Sequence, residues 1–172
     1  AEVLFNSLQK VSTVYDTTIN VMLAGYGDDF RVRSAGNQGW IPIAPNSPQD
    51  GLTQLVNKSR DWAKKPSDKN YRETDMLSAL YGARQALSSQ PKESCKLLVL
   101  FKDGVDFQAF TKSSPSNISG YKDIFSELSK GDKDGFDKAT SMAIKAICRD
   151  GGLADGLRSD GTFTLGVTIN VS

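Results

Sequence analysis

A chain of 172 residues with formal net charge +1 fits one domain, residues 1–172, and can bury roughly 70% of its unfolded surface without a covalent staple. Its balance of basic and acidic residues gives no general electrostatic case for nucleic acid or an anionic membrane, and its apolar runs are far too short to span a bilayer. The absence of histidine excludes Ser–His and Cys–His catalysis and His-ligated zinc.

In chain order, Glu2 to Val14 reads as an amphipathic helix, with Val3, Leu4, Leu8 and Val11 at helical spacing. Ile19 to Ala24 is a buried-strand candidate that ends at Gly25-Tyr26-Gly27-Asp28, and Phe30 to Ser34 alternates as a neighbouring strand would. A loop over 36–45 contains the apolar piece Trp40-Ile41-Pro42-Ile43. Ser47, Pro48 and Asp50 then suit a helix start, and Leu52, Leu55, Val56 and Trp62 supply that helix with a buried face. A polar loop over 64–71 leads to a helix after Thr74, with Leu77, Leu80, Arg84 and Leu87 in one row and Met76, Leu80, Ala83 and Leu87 in the next.

The next segment carries most of the functional signal. The apolar run Leu97 to Phe101 lacks period-two alternation and is followed by Asp103-Gly104, which suits a strand buried on both faces of a helix-covered parallel sheet. In such sheets ligands bind beyond the carboxyl ends of the strands, so Asp103 stands in a ligand position. A Ser-rich loop over 108–120, a short helix Tyr121 to Leu128, a turn over 130–135, a helix Phe136 to Cys148 and a glycine-rich join lead to the last strand, Thr162 to Val171. Strands alternating with helices predict an α/β fold with a mainly parallel sheet and right-handed crossovers.

The two cysteines, Cys95 and Cys148, are too few for a four-cysteine zinc site and too far apart for a redox CxxC. Counts alone leave two readings open, a pair of buried free thiols or one disulfide in an oxidising compartment.

Three ordered segments resemble a von Willebrand factor A domain. "ETDMLSALYGARQAL" (Glu73 to Leu87) is similar to the family's threonine loop that opens a helix. "LLVLFKDGVDF" is similar to its strand ending in Thr-Asp-Gly, with Lys102 in the threonine position. "LRSDGTFTLGVTINV" (Leu157 to Val171) is similar to its short helix and following strand, and the cysteine-containing "CRDGGLADGLRSDG" looks most like secreted bacterial members.

The resemblance implies a three-layer Rossmann-like sheet with helices on both faces and a metal-ion-dependent adhesion site at the strands' carboxyl ends. Hard oxygen ligands there suit Mg2+ or Mn2+, and an open coordination position accepts a carboxylate from a partner protein. By this match Thr74 and Asp103 are metal ligands and Asp75 lies beside the site; apart from the match, Asp28 and Asp29 of the segment after the first strand candidate either line the site edge or are solvated turn residues. The implied function is a non-enzymatic protein-binding or adhesion module, extracellular or on the cell surface.

The family's Asp-x-Ser-x-Ser loop does not occur in these 172 residues. On the family pattern the chain is a fragment that starts within the first helix, after the first strand, and stops before the last elements. Metal binding by this chain alone is therefore expected to be weak or absent.

Cys95 is expected to pair with Cys148. The secreted members carry cysteines at both places, and a helix antiparallel to its strands ends near where strands begin. The alternative is a metal-dependent α/β hydrolase or phosphotransferase using Asp103. It is disfavoured by the missing histidine, by a spacing of three between Asp103 and Asp106, and by the lack of a Gly-x-Ser-x-Gly nucleophile.

Overall fold

The computed structural model describes residues 2–26, 30–32, 39–46, 50–63, 76–103 and 120–169. It is a mixed α/β chain in the order α1 (Glu2–Val14), β1 (Ile19–Met22), β2 (Ala24–Tyr26), β3 (Phe30–Val32), β4 (Trp40–Ile43), α2 (Asp50–Ala63), α3 (Met76–Ser88), β5 (Lys96–Asp103), α4 (Tyr121–Leu128), α5 (Lys133–Cys148), α6 (Leu153–Ser159) and β6 (Thr162–Ile169). Contacts divide it into two compact units, Ala1–Gly25 with Arg31–Lys69, and Tyr26–Phe30 with Asn70–Ser172.

In the first unit, β1 pairs antiparallel with β4, from Ile19 opposite Ile43 to Met22 opposite Trp40. Phe5, Ile41, Ile43 and Leu55 form its core, with Leu8, Ile19, Val21, Leu23 and Val56 packed around them. Burying each of the four stabilises the unit by about 1.5–3 kcal/mol. The inner face of α1 differs from the expected one: Phe5 and Ser12 are buried and Leu8 is partly so, whereas Val3, Leu4 and Val11 are exposed. Hydrogen bonds fix that rotation. Ser12 Oγ lies 2.7 Å from the Thr17 carbonyl and 3.0 Å from that of Ile43, and Gln9 Nε2 donates to the Ala44 carbonyl at 3.0 Å. The polar side of α1 thus binds the exit of β4.

Strand pairing also departs from one mainly parallel sheet. Among the described residues there are three two-stranded sheets, β1–β4, β2–β3 and β5–β6. The single strand expected over 19–24 is broken at Leu23, and β3 joins β2 rather than β1. The β1–β4 pairing is antiparallel, and the described residues between the two strands form β2 and β3 with no crossover helix among them.

In the second unit β5 and β6 are parallel and in register over eight residues each, from Lys96 opposite Thr162 to Asp103 opposite Ile169. The helices match their predicted positions. On α3 the apolar members of the two rows, Met76, Leu77, Leu80, Ala83 and Leu87, are buried, Ser78 and Ala79 are buried as well, and Arg84 is half-buried. Helix α4 keeps its predicted limits, while α5 starts three residues early, at Lys133. Asp132 explains the shift: its backbone is extended and its carboxylate accepts from Gly135 N at 2.6 Å, so part of the expected turn becomes the first helical turn. Gly135 is buried where a Cβ would run into the Glu127 carbonyl, which lets α5 fold closely back on α4.

The expectation that β5 is buried on both faces is corrected. Leu97 is 56% exposed and Phe101 48% exposed. Full burial among the described side chains of the pair is found at its amino end, at Lys96 and Thr162, while Leu98, Val99, Leu100 and Val167 are half-buried. The side chains of Leu52 and Trp62, expected to be buried on α2, lie outside the described residues.

Candidate functional site

Two places in the second unit combine position with chemistry: the carboxyl end of the β5–β6 pair, and its amino end.

At the carboxyl end, Asp103 is the last residue of β5 and stands opposite Ile169, the last of β6. Both strands run the same way, so their carboxyl ends lie side by side, the usual ligand side of a parallel sheet. Two residues earlier, the Phe101 carbonyl accepts a 2.8 Å hydrogen bond from the Tyr26 hydroxyl. Tyr26 is the last residue of β2, and its ring reaches the final rungs of the β5 ladder. The sequence carried no signal for this: a tyrosine between two glycines reads as a turn residue.

Thr74, Asp75, Asp28 and Asp106 lie outside the described residues, so Asp103 is the candidate whose place in the fold is seen, by its backbone. Among the described residues no group of three or more His, Cys, Asp or Glu is arranged to hold a metal ion. A carboxylate and a hydroxyl are the right donor types for Mg2+, but an octahedral ion needs more oxygens than Thr74 and Asp103 supply. The donor type fits and the donor number does not.

At the amino end, Arg84 of α3 meets Asp160, which caps the carboxyl end of α6. Arg84 Nε donates to Asp160 Oδ2 at 2.7 Å, and Nη2 is 3.5 Å from Oδ1. The hydrogen bond from Arg84, and then the charges of Arg84 and Lys96, hold the Asp160 carboxyl below its ordinary value, while the same bond raises Arg84. Arg84 also lies over Gly156, where a Cβ would meet its guanidinium. Tyr81, Arg84, Gln85, Ser88 and Asp160 line a shallow depression of about 360 Å3. Its cation is already engaged by its own carboxylate, so the pair holds the helices together rather than offering an anion site.

The cysteines stand where the sequence puts them, Cys95 directly before β5 and Cys148 as the last residue of α5. Both are exposed free thiols in the structure, and the expected bond is not formed there.

No family model, no curated protein and no solved structure matches this chain.

Proposed function

We propose that the chain is part of a protein-binding module of the von Willebrand factor A type, with a three-layer sheet, that binds a carboxylate-bearing partner protein outside the cell through a divalent cation. The observation that carries this reading is the position of Asp103, at the carboxyl end of a parallel strand beside a second strand end. Helix α3 adds support. It begins at Met76, two residues after Thr74, and its later half is pinned by Arg84 to Asp160, next to the amino end of β6. No helix among the described residues is long and apolar enough to cross a membrane.

In this reading Thr74 and Asp103 contribute a hydroxyl and a carboxylate to Mg2+ or Mn2+, with Asp75 and Asp28 beside them. When bound, the cation supplies an open position for a hard oxygen ligand. The chain supplies only part of the ligand set and binds the cation weakly by itself.

Titration with Mn2+, followed by the loss of its free-ion paramagnetic signal, tests this. The chain as it stands should bind weakly. A version extended before Ala1 by an apolar strand and an Asp-x-Ser-x-Ser loop should bind tightly, and Asp103→Ala or Thr74→Ala should abolish the gain. Equal tight binding by both versions, or a gain indifferent to Asp103, overturns the proposal.

A further inference from the structure

The depression at the amino end of the β5–β6 pair has a chemistry that the ion pair alone does not use up. Tyr81, Arg84, Gln85 and Ser88 line it from one face of α3, at helical spacing, and Asp160 lines it from the end of α6. All five belong to the second unit. Their side chains hold one another. Gln85 Nε2 donates to the Tyr81 hydroxyl at 3.1 Å, Ser88 Oγ donates to the Gln85 carbonyl at 2.7 Å, and Arg84 Nε donates to Asp160 Oδ2 at 2.7 Å.

Capacity remains after these bonds. Asp160 Oδ1 lies 3.5 Å from Arg84 Nη2, a long contact that leaves both atoms able to bind a closer partner. Gln85 keeps its amide oxygen as an acceptor, and Ser88 keeps its hydroxyl lone pairs. The depression therefore presents donors and acceptors side by side. Its one guanidinium and its one carboxylate balance each other, so neither an anion nor a cation finds an uncompensated charge. A purely apolar ligand would strip water from these groups and give nothing back.

A neutral polyol meets both demands. Each hydroxyl donates and accepts, so one can donate to Asp160 Oδ1 while its neighbour accepts from Arg84 Nη2. The Tyr81 ring and the hydrocarbon stems of Arg84 and Gln85 supply apolar surface for the C–H face of a sugar ring. The volume, about 360 Å3, stands at the lower end of the roughly 300–1,000 Å3 of small-molecule sites. We infer that this depression binds a neutral saccharide through one pyranose ring. It lies at the opposite end of the strand pair from Asp103, and the inference is independent of the metal-site reading.

Titration of the full chain with the methyl glycosides of glucose, galactose, mannose and N-acetylglucosamine, followed by 1H–15N NMR, tests it. A shallow, solvated site predicts a dissociation constant in the millimolar range for at least one of them. Saturable shifts are expected at the Arg84 Nε–H, at the Gln85 side-chain amide and along 81–88. Gln85→Ala should weaken binding about three- to tenfold, and Asp160→Asn about tenfold. Lys138→Ala, at an exposed position on α5, should leave it unchanged. Matching far-ultraviolet circular dichroism shows that each variant is folded. No saturable shift with any glycoside, shifts that miss these residues, or an affinity indifferent to both Gln85→Ala and Asp160→Asn overturns the inference. So does the same set of shifts produced by inorganic phosphate, which would mark an anion site instead.

Discussion

Arg84 Nε stands 2.7 Å from Asp160 Oδ2, and this ion pair ties the later half of α3 to the residue that closes α6. The two side chains are 76 residues apart in sequence and both about one-third exposed. Solvent screening at that exposure limits the pair to about 0.5–1 kcal/mol. Its pH dependence has a definite sign. Asp160 titrates below its ordinary 3.8 in the folded chain, so the pair's contribution is complete above that value and is lost as pH falls through the lower folded one. Arg84→Ala and Asp160→Asn should each lower stability by up to about 1 kcal/mol near neutrality. They should converge on wild type in strong acid, as read from urea unfolding at several pH values. A neutral Asp160→Asn at pH 7 would contradict the pair's role.

Gly82 of α3 faces the Phe30 side chain, which belongs to the same unit. A Cβ there would lie 2.8 Å from Phe30 Cβ, closer than carbon atoms approach. Alanine normally gains about 1 kcal/mol over glycine within a helix. Here the overlap falls on the root of the ring, where a rotamer change gives little relief, so Gly82→Ala should destabilise by about 1–3 kcal/mol. A higher melting temperature for Gly82→Ala would show that Phe30 is free to move aside.

Ser12 is fully buried, and its hydroxyl is within reach of the carbonyls of Thr17 and Ile43. Ser12→Ala removes the shared donor and takes it from the buried Ile43 carbonyl. The cost should be about 1–2 kcal/mol despite the better helix propensity of alanine. Chemical denaturation of the variant measures it, and an unchanged midpoint would contradict the bond's role.

Asp132 caps α5 through Gly135 N. Asp132→Ala should cost about 1 kcal/mol, and Asp132→Ser, which keeps a capping oxygen, should recover most of it. Thermal unfolding of the two variants makes the comparison. Equal losses would show that the carboxylate acts other than as a cap.

Cys95 and Cys148 are exposed and free in the structure. The extracellular reading predicts that chain purified from an oxidising compartment carries the bond between them. Closure of a loop of about fifty residues would then stabilise by roughly 4 kcal/mol, less any strain. Non-reducing mass spectrometry decides the point: two alkylatable thiols in such a preparation would remove both the bond and the localisation.

Local chemistry made most elements legible in the sequence. Helix α4 and the start of β6 match because short-range signals set them: glycines at Gly120 and Gly161 with positive φ, and the periodicity of the residues after each glycine. The inward row of α3 was legible because five apolar residues recur at helical spacing. The place of Asp103 came from an apolar run that ends in Asp-Gly. The Asp132 cap was missed because "KGDKDG" has turn composition, and composition cannot distinguish a turn from a capped first helical turn.

The faces were decided by tertiary structure. Val3 and Val11 match helical spacing as well as Phe5 and Leu8 do, yet α1 turns Phe5 and Ser12 inward, because Ser12 and Gln9 find carbonyls of the segment leaving β4. Leu97 and Phe101 read as core, yet they are exposed, because burial of a strand depends on what is laid over it. A residue carries its own hydrophobicity and backbone preference, and these determined where helices and strands lie. Which side of each is covered, and which distant carboxylate meets Arg84, depends on partners far along the chain, and only the folded arrangement supplies them.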